Sequence, residues 1–217
     1  IGPSPVLNAY SKSKGTELRV LAGAANGGSA LVLRPGANIK TAADLKGKKI
    51  ATPQLGNTQD VQLRAYLADN GYKITQTGGD VFILPTANAD QLALFQRGEL
   101  DASWTPEPWT TRLELEVGAE ILVDDRETNV TLLASSAAFV KDQPDLAKKL
   151  IAANQELTLW IQNHPVEAKV LIKAELTELM KAAPKDELID KALSRIVITD
   201  EVSRASLDKM VISAQKA

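Results

Sequence analysis

The amino-acid sequence predicts an α/β fold with two lobes, and three observations lead to this class. Between residues 46 and 126, strand-like apolar runs alternate with helical segments through short connections, which is typical of an α/β layer with a mainly parallel sheet. After residue 129 the pattern changes to one further strand followed by amphipathic helices. The chain has 217 residues, of which 44% are apolar and 24% are charged, so it is long enough for one large domain or two small lobes.

The chain opens with a Gly-Pro-Ser-Pro turn at residues 2–5, which resembles the exit of a strand. We expect a short helix to follow over residues 6–13. Ser4 can cap this helix, or the amides at the helix start can face an anion. The two roles use the same groups, so the sequence alone leaves both open.

Two buried strands come next, over residues 17–25 and 29–36. The turn between them, residues 26–28, favours a tight hairpin. The alternative is that its two glycines allow the backbone to approach a ligand closely. A short helix with Thr41 as its N-cap then leads into the next strand.

The stretch ATPQLGNTQD, residues 51–60, breaks a strand at Pro53 and begins a helix near Thr58. Asn57 or Thr58 can cap this helix, which Gly71 ends. The loop lacks the Gly-Lys-Ser/Thr ending of a phosphate loop. Its unpaired amides and the positive end of the helix dipole nevertheless suit a small anion. Capping and binding can coexist, because one side chain satisfies only part of the four free amides.

The alternation of strands and helices continues through the middle of the chain. Strands are predicted at residues 80–86, 101–105 and 119–125, and helices from about residue 89 to 98 and over 106–118. A last strand within residues 129–140 precedes a long amphipathic helix over 143–163, and the remaining residues are predicted to be helical.

The simplest arrangement of these elements is a discontinuous first lobe and a compact second one. Residues 46–126 form the second lobe, and residues 1–45 together with 127–217 form the first. The chain then crosses between the lobes near residue 46 and near residue 128. Two crossings make a hinge, and the cleft between the lobes is where a ligand is expected.

The composition argues against several classes of function. There is no cysteine, which removes thiol nucleophiles, disulfides and thiolate metal sites. The one histidine, His164, precedes a proline at an expected helix boundary, and we interpret it as a surface residue. The acidic pairs Asp124-Asp125 and Glu114/Glu116 fall on surface-like positions. A net charge of −2 argues against nucleic acid as a partner, and no apolar run reaches membrane-spanning length.

Four polar loops follow predicted strands, which is where ligands bind in parallel α/β sheets. They lie at residues 2–5, 26–29, 53–58 and 104–109, and none contains lysine or arginine. This lack favours a small oxyanion or sulfonate held by amides and hydroxyls. In the fourth loop, Trp104 forms either a wall of the cleft or part of the core. Glu107 either stabilises the start of a helix or binds an amine of the ligand.

Three stretches, IGPSPVLNAY, DLKGKKIATPQLGNTQD and ALFQRGELDASWTPEPW, resemble one family. It is the family of periplasmic solute-binding proteins of nitrate, sulfonate and taurine ABC importers, and the resemblance runs from residue 1 to about 165. It implies a type II periplasmic binding fold, in which two α/β lobes close on a ligand. It also implies a ligand site formed by Pro3, Ser4, Gly28, Ser29, Gln54, Gly56, Asn57, Thr58, Trp104 and Glu107, with Asn88 as a further residue.

The resemblance implies a periplasmic component that captures a small anionic solute and delivers it to the permease subunits of the importer. No catalytic residue, metal, cofactor or nucleic-acid partner is expected, and the membrane is contacted only through the permease or a lipid anchor. Family members usually have a strand-helix-strand-helix segment before IGPSP. This chain therefore resembles a member without its N-terminal segment, whose first lobe exposes a sheet edge.

Two other classes of protein are alternatives on a similar fold. Fungal pyrimidine-precursor synthases resemble the family, but they rely on a cysteine-rich motif and active-site histidines that this sequence does not have. The effector-binding domain of a transcription regulator would need a DNA-binding helix-turn-helix, and no such motif is seen. We therefore predict a binding protein rather than an enzyme.

Overall fold

A computed structural model describes residues 1–76 and 79–216, and it contains two β-sheets with helices packed around them. The strands in the described residues are β1 (Leu18–Gly27), β2 (Ser29–Leu33), β3 (Lys49–Thr52), β4 (Phe82–Pro85), β5 (Ala102–Pro106), β6 (Glu120–Asp125), β7 (Asn129–Ser136) and β8 (Ile196–Ile198). The small sheet has the order β7-β1-β8, and the large sheet has the order β4-β3-β5-β2-β6. This arrangement agrees with the predicted α/β class with two lobes.

The helices follow the predicted alternation and then fill the C-terminal part of the chain. They are α1 (Pro3–Lys12), α2 (Thr58–Asp69), α3 (Asn88–Gln96), α4 (Trp109–Val117), α5 (Ala137–Asp142), α6 (Pro144–Asn163), α7 (Pro165–Met180), α8 (Asp186–Leu193) and α9 (Arg204–Lys216). Among the described residues, no helix combines the length and the apolar character that crossing a membrane would require.

The large sheet is mixed rather than mainly parallel. Strand β3 runs parallel to β4 and β5, but β2 runs antiparallel to both β5 and β6. All five residues of β2 are buried. The prediction of parallel strands was therefore right for the pairs built by helical crossovers. It covered residues 46–126 and did not include β2, which enters this sheet from an earlier part of the chain.

The position of β2 also corrects the predicted hairpin and places the change of sheet early in the chain. Strand β1 pairs with β7 and β8, whereas β2 lies between β5 and β6, so residues 26–28 do not form a hairpin turn. The chain instead passes from one sheet to the other at Gly27 and Gly28, which have φ angles of +73° and +68°. A Cβ atom on Gly27 would lie 2.5 Å from the carbonyl oxygen of Arg195. Glycine is therefore required there by both conformation and space.

This topology changes the division into lobes that we propose. Because residues 29–33 belong to the large sheet, we propose that the first crossing lies at residues 27–28, where the sequence had led us to expect it near residue 46. We propose the second crossing between the end of β6 at Asp125 and the start of β7 at Asn129, a segment that includes the expected residue 128.

Apolar side chains cover both faces of the large sheet. On one face Leu31, Ile50 and Leu63 belong to a cluster of buried residues. On the other face Val32 and Phe95 belong to a second cluster. Neighbouring residues of β2 thus serve opposite faces, as the alternation of side chains along a strand requires. Helix α2 covers the first face, and α3 and α4 cover the second.

The first residue of the chain is held against the free edge of the small sheet. The backbone of Ile1 exchanges two hydrogen bonds with that of Leu132 in β7, at 3.0 and 2.8 Å. Such an exchange between two residues is the pattern of an antiparallel pair.

Apolar side chains are exposed on the long helices α6 and α7, among them Leu157 in α6 and Val170 in α7.

Candidate functional site

The structure brings the four predicted loops together in two pairs, one at each end of a short stretch of α2. The loop at residues 2–5 contacts the loop at residues 53–58. The loop at residues 26–29 contacts the loop at residues 104–109. Thr58 belongs to the first pair and Gln62 contacts the second. These two residues are one helical turn apart, which places them on the same side of α2.

In the first pair, Ser4 connects the start of α1 to the start of α2. Its hydroxyl donates a hydrogen bond to the carbonyl oxygen of Gly56 at 2.9 Å, and its amide donates to the hydroxyl of Thr58 at 3.4 Å. Ser4 and Thr58 are both buried. A Cβ atom on Gly2 would lie 2.4 Å from the Thr58 hydroxyl, so the two helix starts approach as closely as a glycine permits.

Helix α1 begins at Pro3, not at residue 6, and this changes the predicted role of Ser4. Gly2 is the N-cap and provides no side-chain cap, so Ser4 lies within the first turn. Pro3 and Pro5 carry no amide hydrogen. The start of α1 therefore offers only the Ser4 amide, and the expected row of free amides at this helix is absent.

Helix α2 presents the free amides that α1 does not have. Asn57 is its N-cap, and the Asn57 side-chain oxygen accepts a hydrogen bond from the amide of Asp60 at 2.8 Å. The amides of Thr58 and Gln59 donate to no group within the part of the chain that the structure describes. Of the two predicted capping residues, Asn57 is thus the cap, and Thr58 is free for another role.

A buried ion pair below this loop was missed by the sequence analysis. The Asp60 carboxylate accepts hydrogen bonds from the Thr52 hydroxyl at 3.0 Å and from the Gly56 amide at 2.9 Å. Arg64 donates to the same carboxylate at 2.9 Å, and both side chains are at most 5% exposed. The spacing of four residues in a helix was the available signal. This pair shapes the loop and neutralises the charge beneath it.

In the second pair, Ser29 is the central residue. Its hydroxyl accepts a hydrogen bond from the indole nitrogen of Trp104 at 3.0 Å and donates to the side-chain oxygen of Gln62 at 2.8 Å. Gln62 in turn donates to the carboxylate of Asp125 at 2.8 Å, which also accepts from the Thr128 hydroxyl at 2.6 Å. This chain of polar groups lies at the second crossing between the sheets.

Trp104 has both of the roles that the sequence left open, since it is part of the core and also forms the wall of a cavity. Its side chain is part of the buried cluster on one face of the large sheet, in edge-to-face contact with Tyr66 at 5.8 Å between ring centroids. It also lines a cavity beside Gln62 and Asp125. Burial raises the pKa of Tyr66, and the neighbouring Tyr72 adds to this increase. Asp125, which lines the same cavity, was predicted to lie at the surface. This prediction was wrong, because the residue is half-buried and accepts hydrogen bonds from Gln62 and Thr128.

Glu107 is occupied by a cation from the C-terminal part of the chain. Arg195 donates to the Glu107 carboxylate at 2.9 Å and to Glu114 at 2.6 and 3.0 Å. The Thr111 amide and hydroxyl also donate to Glu107, whose side chain is 1% exposed. Burial lowers the pKa of Arg195 most strongly, but its hydrogen bonds to Glu114 and Glu107 outweigh this and raise the pKa above the ordinary value.

The remaining predicted residues lie around these two groups. The Gly28 carbonyl oxygen accepts a hydrogen bond from the Glu107 amide at 2.8 Å, so the second and fourth loops touch through their backbones. The Asn88 side chain accepts from the Thr105 hydroxyl at 3.1 Å. Gln54 is exposed, and its carbonyl oxygen accepts from the Asn57 amide at 3.2 Å.

Two cavities flank α2, and each is lined by some of the predicted site residues. The α1-side cavity, between α1, α2 and α9, has a volume of about 760 Å³ and includes Ser4, Leu7, Leu55, Gly56, Val61 and Met210 in its lining. The β6-side cavity has a volume of about 430 Å³ and includes Gln62, Tyr66, Trp104, Asp125, Thr128 and Met210. Both volumes fall within the usual range for small-molecule sites.

The chemistry of these groups is that of binding. Hydroxyls, amides and a helix N-terminus provide donors, and apolar side chains provide walls. His164 lies away from both cavities, at the junction of α6 and α7, where its ring stacks on Trp160 at 5.1 Å. Within residues 1–76 and 79–216, no group of three or more histidine, aspartate or glutamate side chains is arranged to hold a metal ion.

Comparison with known proteins gives one family and a set of similar folds. The model of the NMT1-like family matches residues 2–175. A curated protein of Escherichia coli (strain K12), named as an aliphatic sulfonates-binding protein, is 37% identical over 95 residues. That match covers 43% of this chain and only 28% of the relative's length.

Solved structures resemble the fold over almost the whole chain. The periplasmic aliphatic sulphonate-binding protein SsuA from Escherichia coli matches with a TM-score of 0.76 at 20% identity, covering 99% of this chain and 71% of that protein. The desulfurization enzyme DSZB matches with a TM-score of 0.62 at 19% identity, covering 99% and 76%. At these identities the likeness concerns the fold alone.

Proposed function

The chain belongs to the NMT1-like family, and on this premise we propose that it is the solute-binding component of an ABC importer. Its solute is a small anion such as a sulfonate, taurine or nitrate. The place of action is the periplasm, and the partners are the permease subunits that receive the solute. The sulfonate-binding name of the curated relative supports this choice of ligand class.

The observation that carries the proposal is the start of α2. The amides of Thr58 and Gln59 lack partners among the described residues, and the positive end of the helix dipole lies at the same place. The hydroxyls of Ser4 and Thr58 are buried beside them. The nearest arginine, Arg64, is already neutralised by Asp60. An anion would thus be held by dipoles and hydrogen bonds rather than by a cationic side chain.

A tetrahedral sulfonate fits this set of donors better than a cation does. Its three oxygens are hydrogen-bond acceptors, and the free groups at the start of α2 are donors. A cation placed there would meet the positive end of the helix. Glu107 was the predicted partner for an amine, but Arg195 already occupies its carboxylate. We therefore place the charged group of the solute at α2 and assign no amine contact to Glu107.

We also propose that the chain binds its solute without transforming it. A hydrolytic or transfer reaction that uses a protein nucleophile needs that group beside a base. The chain has no cysteine, and its one histidine lies at the junction of α6 and α7. The likeness to DSZB shows that an enzyme can use a similar fold, so incubation with the bound solute and analysis of the products tests this part of the proposal.

Isothermal titration calorimetry with taurine, straight-chain alkanesulfonates, nitrate and bicarbonate tests the ligand class. We expect at least one of these anions to bind, and Thr58→Ala to weaken it roughly tenfold, because one charge-assisted hydrogen bond is lost. Thr177→Ala is the matched control and should leave affinity unchanged, because the Thr177 hydroxyl donates to the Lys173 carbonyl oxygen within α7. Binding of none of these solutes, or equal affinity of Thr58→Ala and the parent protein, would contradict the proposal.

A further inference from the structure

The α1-side and β6-side cavities meet at one residue, Met210 of α9. Its side chain lines both cavities, and it is 2% exposed. The residues of α2 are divided between the two cavities, since Val61 faces the first and Gln62 the second. The line of contact between α2 and α9 is therefore the partition between the cavities, and Met210 lies in that partition.

The partition exists because α2 is buried on nearly every side. All residues from Thr58 to Ala65 are buried, although polar and apolar types are mixed among them. Helix α9 covers the part of α2 that an ordinary amphipathic helix would leave in water. Two contacts fix the direction of α9. Ser206 accepts a hydrogen bond from the Asn129 amide near its start, and Lys216 pairs with Asp69 near its end.

The α1-side cavity has a polar end and an apolar wall. Ser4 and Gly56 lie at the end where α2 begins, and Leu7, Leu55 and Val61 line one wall. The paired side chains of Asp60 and Arg64 also belong to the lining. Thr58 and Gln59 are not part of this lining, so Ser4 and Gly56 are the groups that connect the start of α2 to the cavity. A solute whose anionic head lies beside them would extend its tail along this wall towards Met210. Beyond Met210 lies the β6-side cavity, with Gln62 and Trp104.

We infer that Met210 is a specificity-determining residue, which limits the length of the aliphatic tail that the site accepts. This inference rests on the proposed function for the position of the anionic head. Methionine suits the role, because its flexible side chain fills irregular space without polar groups. The ligand class is thus an alkanesulfonate whose tail fits between the start of α2 and Met210.

The affinity of straight-chain alkanesulfonates, from ethanesulfonate to decanesulfonate, tests the inference. Each methylene placed on the apolar wall should raise affinity about fourfold, which is the fold-change for roughly 0.8 kcal/mol. In the parent protein the rise should stop at the chain that reaches Met210. In Met210→Ala it should continue to longer chains, and in Met210→Phe it should stop earlier. An unchanged limit in both variants overturns the inference.

Ile212→Ala is the matched control, because Ile212 lies two residues along α9 from Met210, is 52% exposed and belongs to the lining of neither cavity. It should leave the length limit unchanged. Thermal unfolding of each variant shows whether it is folded. If Met210→Ala does not fold, the length limit can still be measured in Met210→Phe, which removes no buried volume. A length limit that shifts equally in Ile212→Ala overturns the special role of Met210.

A second series, of straight-chain primary alcohols, separates this inference from the proposed function. Alcohols fill an apolar cavity but have no anionic head. If Met210→Ala binds long alcohols more tightly than the parent protein while neither binds any sulfonate, then the partition is correct and the proposed function is wrong. If chain length has no Met210-dependent effect in either series, the inference is overturned.

Discussion

Replacement of Arg195 by methionine tests how the two sheets are joined. Arg195 lies between α8 and β8, on the side of the small sheet, and its guanidinium bridges Glu107 and Glu114 on the side of the large sheet. Lys191 also pairs with Glu114, at 3.2 Å. The Arg195 backbone also packs against the first crossing, since its carbonyl oxygen would lie 2.5 Å from a Cβ atom on Gly27.

The magnitude follows from which carboxylate is left without a cation. Glu114 keeps Lys191, but Glu107 is 1% exposed and has no other cation described near it. Removal of one partner from a buried pair costs about 3–5 kcal/mol of unfolding free energy. The Thr111 amide and hydroxyl still donate to Glu107, so we expect the lower end, about 3 kcal/mol. For a chain of this length that corresponds to a fall of roughly 6–12 °C in Tm.

Urea denaturation followed by circular dichroism, together with thermal unfolding, measures this loss. Lys148→Met is the control, because its pair with Asp145 is 78% and 89% exposed, and we expect a change within about 0.5 kcal/mol. Adding Glu107→Gln to Arg195→Met should recover part of the loss by removing the uncompensated charge. The reasoning is refuted if Arg195→Met unfolds at the same midpoint as Lys148→Met, or if the double variant is no more stable than Arg195→Met.

Two further predictions concern a cap and a carboxylate. Asn57→Ala should lower the unfolding free energy by about 1 kcal/mol through loss of the α2 cap, measured by urea denaturation, and a loss below about 0.3 kcal/mol would contradict the assignment. Asp44 has its pKa lowered from 3.8 by hydrogen bonds from the Lys40 and Thr41 amides and the Thr41 hydroxyl. The ionised Asp44 carboxylate therefore stabilises the fold above about pH 4, and this stabilisation is lost as the pH falls further. Asp44→Asn should consequently lose less unfolding free energy than the parent protein on acidification below that pH. An identical dependence of stability on pH in the two proteins would contradict this cause.

The order of elements was predictable because it depends on local pattern. Runs of apolar residues, prolines and glycines mark β3 to β6 and the helices between them, and the structure has them at nearly the predicted bounds. The partners of β2 were not predictable in this way. Strand β2 pairs with β5 and β6, which are more than sixty residues away, and no local signal specifies a partner at that distance.

The site residues show the same difference between what local sequence predicts and what depends on distant partners. The loops were identified because they follow strands, and Ser4 does meet Thr58 there, as Ser29 meets Trp104. Gln62 and Asp125 were missed, since polar side chains on a helix or at a strand end usually face water. Here α9 covers that face of α2, and a helix nearly 150 residues downstream leaves no trace in the local sequence of α2.

The place of β2 between β5 and β6 also affects how this chain is made. Its five buried residues leave the ribosome well before their partners, because the residue that pairs with Leu33 is Ala102 and the one that pairs with Ser29 is Pro106. At ordinary synthesis rates this interval is roughly 4–15 s. During that time an apolar strand with two open edges is exposed to other nascent chains and to chaperones. Strand β2 is therefore the part of the large sheet that stays longest without its partners while the chain is being made.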